Sequence, residues 1–175
     1  MAFFRNPKGV FVRQSPDMYQ GNCFWGWVAG VGTGSDFHDA GIQNLDQSGR
    51  TMLVWGVIAA MFFNNLATHP TGTISHGFIN GHEDATGFGT LTPLSPLNPA
   101  VSANVWDTPT GNGIDTAYQI NQILTGAGQV EIFPTYPIAA IPTTWSIAVG
   151  MEWVAGASSV NWSIGWLVEF VGPQP

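Results

Sequence analysis

The sequence has few charged side chains: they make up 9% of its 175 residues, against about 25% in an average soluble domain. Only four are basic, Arg5, Lys8, Arg13 and Arg50, so residues 51–175 contain no lysine or arginine and carry the whole net charge of −7. Binding to nucleic acid needs several cations facing the phosphates. The charge distribution therefore argues against a nucleic-acid partner.

The sequence also lacks a second cysteine and a long hydrophobic run. Cys23 alone can form neither an intramolecular disulfide nor a cysteine-based zinc site, and its apolar neighbours predict a buried thiol. The longest apolar run, residues 52–63, is shorter than the roughly 20 residues that cross a bilayer, and no signal-peptide core is visible. We expect neither a membrane protein nor a secreted one.

The sequence contains enough apolar residues for one core, and many glycines and prolines, which favour turns. Apolar side chains make up 45% of the chain, which also has 22 glycines and 12 prolines. The length suits one domain. We divide the chain into an N-terminal arm or edge segment, residues 1–22, and a single β-sandwich domain, residues 23–175.

Several segments show the alternation of apolar and small or polar residues that is typical of strands. Short strands are predicted at 24–31, 73–79 and 100–106, whereas residues 35–50 are polar and turn-like. The apolar run 52–63 fits either a buried helix or a central strand, and its β-branched residues around Gly56 favour the strand.

The last third has the clearest alternation. Apolar residues occupy every second position over 145–153 and over 160–170, and residues 155–159 form a turn. We expect these two strands to pair as an antiparallel hairpin whose aromatic faces need a second sheet to cover them. A second hairpin is predicted from 117–125 and 130–133, with a helix over 115–124 as the alternative. The pattern indicates an all-β, antiparallel, jelly-roll-like β-sandwich with long Gly/Pro-rich loops.

Motifs for catalysis or cofactor binding are weak. A dinucleotide loop, a phosphate-binding loop and a nucleophile elbow all lack required glycines or their structural context. The four histidines fall in or near loops and are expected to be solvated. His76, His82 and Glu83 carry the ligand types of a metal site, but the paired His-x-His of cupin-type jelly rolls is missing. We expect no cofactor and assign no catalytic residue.

Tryptophan is the most unusual component, with eight residues. Trp145, Trp153, Trp162 and Trp166 each lie on the apolar face of their predicted strand, which indicates the core. Trp106 lies in the loop-rich middle of the chain and is the better candidate for an exposed contact, such as stacking on a sugar.

The C-terminal sequence resembles the closing strands of jelly-roll virion proteins, namely tailed-phage head decoration (cement) proteins and head fibres. The likeness consists of a proline-rich approach over 136–142, the Trp-Ser-Ile-x-Val strand over 145–149, a Gly/Ser turn and an aromatic final strand over 160–170. It covers residues 136–170 and carries over no functional residue.

The resemblance implies a non-enzymatic homotrimer that binds the major capsid protein or other virion subunits, in a virion assembled in the host cytoplasm. We expect the three basic residues of the arm to dock on an acidic neighbour. One alternative is a carbohydrate- or receptor-binding module of a fibre or spike, which would use Trp106. Another is a small metal-dependent jelly-roll enzyme, which would use the His76, His82 and Glu83 group.

Overall fold

A computed structural model of the chain describes residues 3–5, 11–13, 22–32, 36–46, 49–63, 72–80, 87–94, 103–108, 119–125, 128–132, 137–153 and 160–172. Within these ranges the protein is all-β, as the sequence predicts. None of the described residues belongs to a helix that could span a membrane. The strands are β1 (Phe3–Arg5), β2 (Phe11–Arg13), β3 (Cys23–Gly32), β4 (Asp36–Asn44), β5 (Thr51–Phe63), β6 (Gly72–Asn80), β7 (Gly87–Phe88), β8 (Thr90–Pro93), β9 (Ala103–Thr108), β10 (Gln119–Thr125), β11 (Gly128–Ile132), β12 (Ala139–Ile141), β13 (Trp145–Trp153) and β14 (Val160–Val171).

The strands form two large antiparallel sheets and a small ribbon. Sheet I has the order β11-β5-β14-β3-β8, and β12 also pairs with β5; sheet II has the order β10-β6-β13-β4-β9-β7. The strands β1 and β2 pair only with each other among the described residues. The buried side chains of the two sheets form one core, so the architecture is a β-sandwich.

The strand order is that of a jelly roll. The eight main strands in chain order are β3, β4, β5, β6, β10, β11, β13 and β14. Sheet I joins the first, eighth, third and sixth of these, and sheet II joins the second, seventh, fourth and fifth. This double Greek key defines the jelly roll. The short strands β7, β8 and β9 lie between β6 and β10 in the chain and extend one edge of each sheet.

Both predicted hairpins are wrong, although their strands exist. The strands β13 and β14 lie in different sheets, where β13 pairs with β4 and β6, and β14 pairs with β3 and β5. Likewise β10 pairs with β6, and β11 pairs with β5. In a jelly roll most consecutive strands cross from one sheet to the other, so most neighbours in sequence do not pair; here β6 and β10 are the exception among the eight main strands.

The polar segment predicted as turns contains a central strand, β4, which lies between β13 and β9. Three of its polar residues, His38, Gln43 and Asn44, are buried, and each forms a side-chain hydrogen bond. His38 Nε2 lies 3.2 Å from Asp107 Oδ2, and Gln43 Nε2 donates to the carbonyl oxygen of Thr144 at 2.9 Å. His38 is therefore not the solvated loop histidine that the sequence suggests.

Asn44, at the end of β4, joins two chain connections that are far apart in sequence. Its Nδ2 donates to the carbonyl oxygens of Ile141 at 2.9 Å and Arg50 at 3.0 Å. Its Oδ1 accepts the backbone N–H of Asp46 at 2.9 Å. Asp46 forms an ion pair with Arg50. This junction holds the β4–β5 connection against the chain between β12 and β13.

The core confirms the predicted faces of the long strands. Ile147, Val149 and Met151 of β13 are fully buried, and so are the alternate residues of β14 from Val160 to Phe170. Trp162 and Trp166 lie in this core, and Trp145 packs against it. The apolar run 52–63 is a strand rather than a helix, and Cys23 is buried as expected.

Candidate interaction surface

The outer face of sheet I carries a cluster of apolar side chains that point away from the core. We call it the aromatic face and define it as Trp25, Trp27, Val31, Ile58 and Phe62. Two rows of opposed residues cross the sheet there: Trp27–Gly165–Ile58 and Val31–Asn161–Phe62. Trp27 is 43% exposed, Val31 66% and Phe62 51%. Apolar side chains are thus exposed on both sides of β14, with Gly165 between Trp27 and Ile58 and the exposed Asn161 between Val31 and Phe62.

A glycine at the centre of this face creates a pocket. Gly165 has no side chain, and the ring of Trp25 lies over it, so that a Cβ at this position would fall 2.2 Å from Cζ2 of Trp25. The resulting pocket of about 170 Å³ is lined by Trp25, Trp27, Ile58, Ser163, Ile164 and Gly165. Its size and apolar lining suit one apolar or aromatic side chain of a partner.

The glycines on the opposite side of β3 explain why the tryptophans of this strand face outward. A Cβ on Gly30 would lie 2.6 Å from the indole of Trp162, and one on Gly26 would lie 2.9 Å from Ile42 Cδ1. At Gly26 and Gly30 the core side of β3 is therefore filled by residues of other strands. Only Phe24 and Val28 of this strand add large side chains to the core. Because strand side chains alternate, Trp25 and Trp27 are left on the outside.

The outer face of sheet I is buried at its Cys23 end. A β-bulge in β5 inserts Trp55 as an extra residue opposite β14. The indole Nε1 of Trp55 donates to Oε2 of Glu169 at 2.9 Å, and both side chains are buried. The exposed part of the aromatic face therefore runs from Trp27 towards Val31 and Phe62.

Sheet II offers no comparable surface on its two central strands. In β4, Asp39, Gly41 and Gln43 point away from the core and are buried; in β13, Ser146 and Ala148 do the same. These strands are covered on both faces, whereas sheet I is open on one. Among the residues whose side chains the structure describes, the exposed aromatic ones all lie on sheet I.

Two of the three basic residues of the arm lie in the described structure. Arg5 and Arg13 lie on the ribbon, where Arg5 is opposite Phe11 and Arg13 is opposite Phe3. Lys8 lies outside the described residues. The predicted contact between the arm and an acidic neighbour stays a prediction.

One of the three residues predicted as weak metal-site candidates lies in the described structure. His76 lies in β6 opposite Val149, and His82 and Glu83 lie outside the described residues. Of the His, Cys, Asp and Glu residues in the described ranges, no three lie close enough to hold a metal ion. Trp106 lies in a strand, β9, opposite Gly41.

Sequence reasoning missed the aromatic face. It assigned the exposed aromatic contact to Trp106, because Trp25 and Trp27 lie in a strongly apolar strand, which is predicted to be buried. The available signal was the pair of glycines on one side of β3, Gly26 and Gly30, which marks the side that other strands approach closely.

No protein-family model matches this sequence, and none of the curated proteins is significantly similar to it.

Replacing Gly165 with alanine tests the pocket. The new Cβ must displace the ring of Trp25, and we expect a loss of about 1–2 kcal/mol in the free energy of unfolding. Gly172→Ala is the matched control, because an added Cβ there meets nothing within 4 Å. Urea unfolding followed by tryptophan fluorescence measures both variants. Equal stability of the two would show that Trp25 does not lie over Gly165.

Proposed function

We propose that this protein is a non-enzymatic structural subunit of a larger protein assembly, and that the aromatic face is buried there against another protein. The observation that carries the proposal is the clustering of exposed apolar side chains. Among the residues whose side chains the structure describes, four large apolar ones are exposed, and three of them, Trp27, Val31 and Phe62, lie on this one face. Contiguous exposed apolar patches mark interaction sites.

The chemistry of the face suits a protein partner. Across β3, β14 and β5 the residues of the two rows are uncharged, and the first charged residue, Glu131, lies on the edge strand β11 opposite Ile58. Charged residues are depleted in the buried centre of protein interfaces, while aromatic residues are enriched there. The pocket between Trp25 and Trp27 would take a single apolar anchor, the arrangement that concentrates binding energy in hot spots.

The particular assembly we propose is a tailed-phage virion, with the protein as a capsid decoration or cement subunit. Two features support this choice: the jelly-roll strand order and the likeness of residues 136–170 to the closing strands of such proteins. The low charge of the chain also fits a subunit surrounded by other proteins.

A carbohydrate-binding module is the second candidate, because the exposed indole of Trp27 is a surface on which a sugar ring can stack. Sugar sites, however, need several polar groups to fix the hydroxyls. Among the described residues that line the pocket, Ser163 is the one with a side-chain hydroxyl. Saturable glycan binding that is lost in Trp27→Ala would favour this candidate over the structural one.

The test of the proposed function is incorporation into particles. Phage carrying the double substitution Val31→Asp/Phe62→Asp should produce particles with at least about tenfold less of this protein than wild type, because two carboxylates would be buried without partners. Leu94→Asp is the matched control: Leu94 is also apolar and 39% exposed, but its N–H donates to the carbonyl oxygen of Cys23 beyond the end of β8, and it belongs to neither row of the aromatic face. Quantitative mass spectrometry of purified particles gives the result. Absence of the wild-type protein from particles, or normal incorporation of the double variant, would contradict the proposal.

A further inference from the structure

The β1–β2 ribbon needs a surface to pack on. It is a two-stranded sheet of three residues per strand that pairs with neither large sheet among the described residues. An isolated two-stranded ribbon is at best marginally stable in water. Its composition is apolar and basic: the six residues are Phe3, Phe4, Arg5, Phe11, Val12 and Arg13. A stable position for this ribbon therefore requires an apolar surface with a negative charge around it.

The sandwich has an exposed aromatic face and an overall negative charge. Residues 51–175 carry seven acidic residues and no lysine or arginine, and one of these acids, Glu131 of β11, lies opposite Ile58 at the edge of the aromatic face. Residues 1–22, by contrast, carry three basic residues and one acidic residue, Asp17. The arm and the sandwich are thus oppositely charged, which favours their encounter.

The ribbon of the same chain does not cover this face. Trp27, Val31 and Phe62 stay exposed in a chain that includes its own β1 and β2. We propose that the ribbon of one chain packs on the aromatic face of a second copy of this chain, with a phenylalanine of the ribbon as the anchor in the pocket. This inference rests on the proposed role of the aromatic face as a protein contact, and it names the partner.

Such a contact joins two different surfaces of the protein. It is satisfied in every subunit only when the copies form a closed assembly, either a reciprocal dimer or a ring. The trimer that the sequence resemblance implies would be one such ring.

The test is complementation between two variants that are each defective in one half of the contact. The arm variant, Arg5→Glu/Lys8→Glu/Arg13→Glu, keeps the aromatic face; the face variant, Val31→Asp/Phe62→Asp, keeps the arm. Light scattering after size exclusion should give the wild-type chain a mass that is a multiple of 18.7 kDa. Each variant alone should run as a monomer, and their equimolar mixture should form a complex of twice 18.7 kDa, with one arm docked on one face.

The electrostatic part of the contact has its own signature. Raising the salt concentration from about 0.05 M to about 0.5 M should weaken the association of the wild-type chain at least about tenfold, since the attraction between arm and sandwich is screened. A contact made only by apolar surfaces would not weaken in this way.

Other results would overturn the inference and identify a different occupant. A wild-type chain that is monomeric at all concentrations, while the double face variant is still lost from particles, would assign the aromatic face to another virion protein; the proposed function would stand. Oligomers that persist in the arm variant would show that the ribbon is not the partner. Complementation without any incorporation into particles would retain the inference and reject the virion function.

Discussion

Replacing Trp166 with alanine should lower the free energy of unfolding by about 4 kcal/mol, one of the two largest effects we expect from a single substitution in this protein. Trp166 is fully buried on β14, the strand at the centre of sheet I. Truncation removes a large apolar contact area and leaves a cavity that the two sheets cannot close without separating from their other contacts. Urea denaturation at equilibrium, followed by circular dichroism, measures the loss.

Two further variants define the reason for that loss. The indole Nε1 of Trp166 is buried and has no hydrogen-bond partner among the described residues. Its contribution is therefore packing, and Trp166→Phe should cost only about 1–1.5 kcal/mol. Trp27→Ala removes the same atoms from the solvent-exposed side of the sheet and should cost about 1 kcal/mol or less. A phenylalanine variant as unstable as the alanine variant would show that the indole N–H makes an essential hydrogen bond.

Replacing Asn44 with alanine should destabilise the protein by about 3 kcal/mol. Asn44 is fully buried, and the substitution removes three hydrogen bonds, to Ile141, Arg50 and Asp46. Each is worth about 1 kcal/mol, and a buried carbonyl that loses its donor adds to the cost. The same unfolding experiment measures the effect.

An aspartate variant distinguishes the acceptor role of the Asn44 side chain from its donor role. Asn44→Asp keeps an acceptor for the backbone N–H of Asp46 but places a negative oxygen against the two carbonyl oxygens that Nδ2 now binds. We expect it to be at least as unstable as the alanine variant at neutral pH. Asn104→Ala, at a partly exposed position of β9, is the control and should change stability by less than about 0.5 kcal/mol. A mild effect of both Asn44 variants would mean that the junction does not depend on this side chain.

The strands and their core faces could be predicted from the sequence, because these are local properties. Alternation alone places Ile147 on β13 and Trp162 on β14 in the core. The run 52–63 could be assigned as a strand from its β-branched residues, although its bulge at Trp55 leaves no local signal.

The pairing of the strands could not be predicted in the same way. The partners of β14 are β3 and β5, which are distant in sequence, while the turn-like residues 155–159 suggest a hairpin with β13. The segment 35–50 was missed as a strand for a related reason. Its polar side chains are tolerated inside because partners such as Asp107 and Thr144 come from other parts of the chain.

The aromatic face could not be predicted from the sequence, because the residues of one strand do not show which of its two faces other strands cover. On β3, the larger residues, Trp25 and Trp27, face outward, since Trp162 and Ile42 occupy the space over Gly30 and Gly26. The residues of other strands that pack against a strand determine which of its two faces is buried. They therefore also determine which tryptophans are exposed and can contact a partner.

The central position of β14 has a consequence for how the protein is made. Sheet I stays open between β3 and β5 until the residues of β14, 160–171, insert between them. On the ribosome, both strands must therefore wait with unpaired edges while more than half of the chain is synthesised, and such edges are prone to aggregation. Sheet I is completed only after residue 171 has left the exit tunnel, and the aromatic face, which spans β3, β14 and β5, forms at that same late step.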